Sequence, residues 1–315
     1  MALVAVGACY VDTILSTPYY PGEDEKLRAS TISRRRGGNC PNSLAVLRQL
    51  IAQSPPATKV PLNLVAILPA QSSVASQQIR EAFEPQVSLD HCVYREGFEE
   101  PASSYIIRSE SSGSRTIVNY NELPEMTVEE FVQITDKLST AAAWYHFEGR
   151  IPDVTLACIR HLRSHYPGVK VSVEVEKPGR AGLQELTQEA DAVFYSKSWA
   201  QAHGYGSAEE CIRKQSSLTR NASLLCCTWG QVGAAALETL SGNVVHSPAY
   251  TPQGFQVADA IGAGDTFIAG MLYGLICKGN IWDLSQKLSM ANRLAGTKVN
   301  QEGFSDLGRV LEAYS

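Results

Sequence analysis

Short apolar runs alternate with helix-period stretches along most of this chain, and no other feature restricts its fold so strongly. The strand-like runs fall at 2–7, 62–68, 144–147, 169–173, 192–195, 224–228 and 233–237. Helical patterns lie between them at 41–53, 74–83, 128–138, 154–165, 208–215, 264–277 and 281–298. A strand that returns to its sheet through a helix crosses over right-handedly and runs parallel to the first. The expected fold class is therefore α/β, a mostly parallel central sheet flanked by helices. No internal repeat of about 20–50 residues interrupts it. At roughly 100–200 residues per domain, 315 residues make one large domain or two modest ones.

Two stretches escape the alternation. Residues 27–36 read as a polar, β-like segment, and 101–120 as two strands, 103–108 and 115–120, around the turn Glu110-Ser-Ser-Gly-Ser. Polar strands without crossover helices suit a small second sheet over the main one. That sheet would act as a lid built from about 13–36 and 101–120; an ordinary surface hairpin has the same pattern.

Charge excludes several functions. Lys and Arg total 27 against 32 Asp and Glu, a net charge of −5, which would neutralise few phosphates of a nucleic acid. No apolar run approaches the ~20 residues of a membrane helix, and the opening MALVAVGACYVD lacks the basic leader of a secretory signal. The eight cysteines are irregularly spaced without a Cys-x-x-Cys, and the six histidines show no ligand spacing. A disulfide framework or zinc site is not expected, and a reducing cytoplasm is the expected location. Cys226 and Cys227 read as buried strand thiols.

The chemistry concentrates at Asp259-Ala-Ile-Gly-Ala-Gly-Asp-Thr-Phe, which opens an apolar helix. Gly262, Ala263 and Gly264 are small residues at a helix N-terminus, where free amides attract an anion and missing side chains let a phosphate approach. Asp265 falls in the first turn, where a carboxylate can take a proton from a hydroxyl attacking a phosphoryl group. An aspartate that merely caps the helix has the same address. Further upstream, Arg36-Gly-Gly-Asn-Cys-Pro-Asn-Ser combines a glycine turn, a proline suited to a first helical turn, and Asn39 and Asn42 on one helix face. Two amides there offer donors and acceptors to a polyol, although Asn39 is also a good cap. Arg34 to Arg36 read as a solvated lid strand, with a phosphate patch or nuclear signal as the other reading. Asp12 follows the first strand, where open α/β sheets bind ligands. Asp24 lies in the acidic turn Pro21-Gly-Glu-Asp-Glu, beside Glu23 and Glu25.

These strings resemble the signatures of the ribokinase-like carbohydrate kinases, and the order of further segments resembles the ketohexokinase branch of that family. Those segments are Gly113-Ser-Arg-Thr-Ile-Val, Leu123-Pro-Glu, His146-Phe-Glu-Gly-Arg, Val173-Glu-Val-Glu-Lys-Pro, Tyr195-Ser-Lys and Gln301-Glu-Gly-Phe. The resemblance implies one ribokinase-like kinase domain over 1–315 with a small β-sheet lid. It makes Asp265 the catalytic base, with Gly262, Ala263 and Gly264 as the anion hole. Gly38, Asn39, Asn42, Asp12 and Asp24 become sugar contacts. Arg115 and Lys197 would meet nucleotide phosphates. From their place just after the strand run 224–228, Trp229 and Gly230 would shape the adenine pocket, or simply pack in the core or a loop. Glu148 and Arg150 would form a strand-end ion pair or act directly.

Two departures stand out. Ala260 replaces the family's more common Thr, Ser or Pro, and Ser196 and Trp199 stand where many members carry the Asn-x-x-Glu that organises magnesium. The implied cofactors are ATP and magnesium, with potassium near Asp259. The implied partners are a sugar and ATP, with a homodimer through the lid strands and stimulation by potassium. The implied activity is phosphorylation of fructose at its 1-hydroxyl. Another ribokinase-like kinase, acting on ribose, a nucleoside or the fructose 6-hydroxyl, shares these letters, and a silent sugar or nucleotide sensor shares the fold. A dinucleotide dehydrogenase is excluded, because the first strand leads into Gly7-Ala-Cys-Tyr rather than Gly-x-Gly-x-x-Gly.

Overall fold

The computed structural model describes residues 1–55, 58–83, 85–138 and 143–314. In chain order its first elements are β1 (Ala2–Val6), β2 (Tyr10–Thr17), β3 (Thr31–Gly37), α1 (Asn39–Ala52), β4 (Leu62–Val65), β5 (Ile67–Pro69), α2 (Val74–Phe83), β6 (Val87–Ser88) and β7 (Val93–Arg95). The middle holds β8 (Ser103–Ser109), β9 (Arg115–Tyr120), α3 (Val128–Lys137), β10 (Ala143–Glu148), α4 (Pro152–His165), β11 (Lys170–Val175), α5 (Leu183–Glu189) and β12 (Ala192–Tyr195). Then come α6 (Lys197–Ala202), α7 (Ala208–Ser216), β13 (Leu224–Thr228), β14 (Ala234–Glu238), β15 (Asn243–Ser247), α8 (Ala263–Tyr273) and α9 (Leu284–Val299).

Among the described residues the large sheet has nine strands, ordered β15-β14-β13-β12-β11-β10-β1-β4-β6. Every pairing from β13 to β6 is parallel, as expected of crossover helices. Successive side chains alternate between two cores. Leu3, Phe194 and Cys226 face α1, α8 and α9, while Val4, Val193 and Cys227 face α3 to α7. Burial on both faces explains why these strands read as continuous apolar runs. Both expected strand thiols are buried, and all eight cysteines are free.

Several expectations shift. The run 62–68 divides at Ala66: β4 stays in the large sheet while β5 pairs with β7 in a separate two-stranded sheet. The run ending at 237 is antiparallel to β13, and β15 extends it as a hairpin that the pattern did not reveal, because β15 is only partly buried. Helices α5 and α6 were also missed; at 7 and 6 residues they are too short to show a period. The last long helix begins later than its apolar pattern: Asp283 accepts from the amide of Gln286 (2.8 Å), whose side chain answers Asp283, so α9 starts at Leu284. The pattern through Cys277 persists beyond α8 because a π turn, Gly274–Lys278, keeps Leu275 and Ile276 against the core.

The second sheet is the expected small one, ordered β3-β2-β8-β9. It includes Tyr10–Thr17, a strand placed earlier than the expected lid start. Asp12 therefore belongs to the lid rather than to a loop after β1, paired in register with Arg35 and Ser104. Alternation along β2, β8 and β9 turns Tyr10, Asp12, Ser104, Ile106, Arg115, Ile117 and Asn119 toward one cleft. The opposite face leaves Ile32, Tyr105, Val118 and Tyr120 exposed.

Candidate active site

The cleft beneath this sheet measures about 350 Å³. Its floor is the carboxyl end of the parallel strands, where backbone ends and side chains converge. The short turn between β3 and α1 begins it. Gly38 has φ 102°, and a Cβ there would strike the Ala8 carbonyl, so the turn needs glycine. The helix starts at Asn39 and no side chain caps it, so Asn39 is not the capping residue its position allowed. Instead Asn39 Nδ2 donates to Glu174 (2.9 Å) and Glu176 (3.0 Å). One turn further, Asn42 Nδ2 donates to Asp265 Oδ2 at 2.7 Å, joining two motifs that lie 223 residues apart.

Asp265 sits in the first turn of α8, behind the N-cap Gly262 at φ 79°. The Ser43 hydroxyl donates to its backbone carbonyl at 2.9 Å, fixing α8 against α1. Its residue is 8% exposed, and burial pushes its carboxyl up to about 8. The Asn42 hydrogen bond opposes this, Glu176 and Glu148 reinforce it, and Arg36 opposes it. Burial also raises the carboxyls of Glu148, Glu174 and Asp12. A carboxylate held near neutrality beside free helix amides is equipped to accept a proton next to a bound anion.

Asp12, Gly38, Asn39, Asn42, Arg115, Gly262, Ala263, Gly264 and Asp265 all line this one cleft. Lys197, Trp229 and Gly230 do not. They group just beyond the cleft residues Ser196 and Thr228, with Lys197 Nζ 5.8 Å from the Trp229 ring centroid and Gly230 against the Lys197 side chain. Asp24 is not brought to the cleft either; it lies in an exposed turn at φ 61°.

Asp259 departs further from expectation. Arg35 Nη1 (2.8 Å), Lys298 Nζ (2.9 Å) and the Gly303 amide (3.3 Å) all donate to its Oδ2, and the Ile261 amide donates to Oδ1 (2.9 Å). Lys298 is fully buried and also donates to the Asp259 carbonyl at 2.9 Å. Two protein cations already compensate this carboxylate, so potassium does not fit there.

Other polar groups also moved. Arg150 does not pair with Glu148. It bonds Glu125 and, at 2.7 Å, the Tyr10 hydroxyl, whereas Glu148 accepts from the Ala8 amide at 2.9 Å. The arginine run is only partly solvated: Arg34 is exposed, Arg35 is held by Asp259, and Arg36 turns inward to Asn42 and Phe83. Trp199 is a core residue stacked on His203, and Ser196 caps α6, so neither replaces a metal-organising Asn-x-x-Glu. Glu174 and Glu176, which carried no assigned role, face Asp265 across the cleft. Their signal was a pair of acids ending a buried strand run. Among the described residues no cluster of three or more His, Cys, Asp or Glu could hold a metal, and no helix is long and apolar enough to cross a membrane.

This chain belongs to the pfkB family of carbohydrate kinases, whose family model matches residues 2–307. It has the ribokinase-like α/β fold and is an ATP-dependent sugar kinase. Among curated proteins it is similar to ketohexokinase of Mus musculus, with 30% identity over 312 residues, 97% of this chain and 98% of that protein. Ribokinase of Thermotoga maritima shares the fold with a TM-score of 0.76 at 15% identity, over 100% of this chain and 99% of the other. Arabidopsis thaliana ribokinase complexed with ribose and ATP superposes with a TM-score of 0.75 at 19% identity, covering 99% of this chain and 98% of its own.

Proposed function

We propose that the chain transfers the γ-phosphoryl group of ATP to the 1-hydroxyl of fructose, giving fructose 1-phosphate. The Asn42–Asp265 hydrogen bond carries this reading, because it brings the polyol-binding turn and the anion-binding helix to one point. Likeness to a ketohexokinase across nearly the whole chain supports fructose. Asp12, Gly38, Asn39 and Asn42 hold the sugar hydroxyls. Asp265 takes the proton of the attacking hydroxyl. The amides around Gly262, Ala263 and Gly264 stabilise charge on the arriving phosphoryl group. Arg115 reaches phosphate from the lid, and Lys197, Trp229 and Gly230 extend the nucleotide site beyond Ser196. Closure of the lid would exclude water, the competing acceptor.

The donor set fits magnesium. Glu174 and Glu176 each give only one oxygen to Asn39, leaving a second oxygen on each for a hard cation that retains waters and phosphate ligands. When bound, magnesium supplies charge neutralisation on the phosphates. The whole of 1–315 works as one kinase unit in the cytoplasm, with the lid strands inserted in it. The exposed apolar outer face of the lid supports a homodimer through that sheet.

A sugar panel with product identification by ³¹P and ¹³C NMR tests the reading. ATP consumption with fructose and phosphate on C1 is the expected result. Phosphate on C6, or ribose turned over far faster than fructose, rejects the substrate assignment. No turnover of any sugar rejects the activity.

A further inference from the structure

Arg36 is the penultimate residue of the lid strand β3, two residues before Gly38, the N-cap of α1. Its guanidinium lies 4.7 Å from the centroid of the Phe83 ring, and its Nη1 donates to Asn42 Oδ1 at 3.1 Å. Burial lowers its pKa to about 10, so it is still protonated at neutral pH. The cleft is lined by Asn42 and Asp265 but not by Arg36. Any influence on chemistry must therefore pass through its neighbours.

The amide of Asn42 has a donating and an accepting end. Toward a carboxylate it must present NH₂; toward a protonated carboxyl it could instead turn and present oxygen. Burial favours the protonated carboxyl at Asp265. Arg36 is a donor with nothing to accept, so a turned amide would set NH₂ against the guanidinium. Only one orientation satisfies both neighbours. We propose that Arg36 is a positioning residue: by donating to Asn42 Oδ1 it locks the Asn42 NH₂ toward Asp265 and so favours the proton-accepting form of that carboxylate.

The inference rests on Asp265 being the base. The other charged or titratable groups facing Asp265 are Glu148 from β10, Glu174 from β11, Glu176 beyond it, Cys40 from α1 and Lys298 from α9. Those around Arg36 are Cys9, Asp12 and Arg48. None of them is hydrogen-bonded to the Asn42 oxygen, and none changes in the test below.

The test titrates the Asp265 carboxyl by ¹³C NMR in full-length protein labelled at aspartate, with the resonance assigned by Asp265→Asn. Arg36→Met keeps an apolar contact with Phe83 and donates nothing. Its midpoint should rise by roughly one pH unit, and the acid limb of kcat against pH should rise with it, activity recovering at high pH. In an Asn42→Ala background the same replacement should move the midpoint far less, because the relay is already cut. An unchanged midpoint in Arg36→Met overturns the proposal, as does an equal shift in both backgrounds, which would mean that charge acts without the amide. If the methionine variant does not fold, Arg36→Leu is titrated instead. It likewise keeps an apolar contact and donates nothing, so its midpoint should still rise, and a wild-type midpoint overturns the proposal. The titration uses no substrate, so failure to phosphorylate any sugar would be recognised separately as failure of the kinase reading.

Discussion

If Asp265 is the base, its elevated pKa sets how the reaction depends on pH. With a carboxyl near 8, about a tenth is ionised at pH 7 and about nine-tenths at pH 9, so kcat/KM should rise roughly tenfold between them. Asp265→Asn preserves shape and the neighbouring helix but cannot accept a proton. General bases contribute ~10²–10⁴-fold, and the deficit should be about ten times larger at pH 9 than at pH 7, because the wild type is mostly protonated at the lower pH. The variant's own profile should be flat in this range. The same shift has a stability consequence of known sign. The unfolded chain ionises this group near the ordinary aspartate value while the folded one retains the proton up to about 8. Wild-type stability therefore falls as pH rises through that window, and Asp265→Asn should melt higher than wild type above pH 8. The assay is ADP release with fructose from pH 6.5 to 9, with circular dichroism melts alongside. A wild-type kcat/KM that is flat over this range, or near-normal turnover in the folded variant, would refute the assignment.

Asp12→Ala and Asn42→Ala should weaken sugar binding by about 1–3 kcal/mol while ATP affinity changes less, which calorimetric titration of each ligand checks. Arg115→Ala should raise KM for ATP and leave KM for sugar near normal; a change confined to sugar would move this arginine to the other substrate. Gly38→Ala should lower the melting temperature, since both its φ of 102° and the Ala8 carbonyl oppose a side chain. Lys298→Met should cost roughly 3 kcal/mol in urea unfolding, because it removes one partner from a buried ion pair; a loss within 0.5 kcal/mol would show that Arg35 alone suffices.

Much of this architecture was legible in the order of residues because the relevant signals are local. A strand buried on both faces must be apolar throughout, and 192–195 and 224–228 match β12 and β13 residue for residue. The polar hairpin strand 115–120 matches β9 likewise, since a lid strand has no core to fill. The small residues before Asp265 marked a helix start because only there are backbone amides free. Hidden features involved partners far along the chain. The separation of β4 from β5 depends on β7, and the loss of Arg35 and Arg36 from solvent depends on Asp259, Phe83 and Asn42.

The sequence by itself determined the alternating parallel sheet, the glycine-rich helix entry with its carboxylate, and the pair of asparagines at the head of α1, because periodicity and helix termini are properties of neighbouring residues. Only the tertiary structure decided which charges are compensated and which remain for chemistry. It assigned Asp259 to Lys298 and Arg35, left Asp24 in an exposed turn, and set Glu148, Glu174 and Glu176 around Asp265. The reason is physical: a charge leaving water must find its counterpart in space, and folding brings strand ends from across the chain to one edge of the sheet.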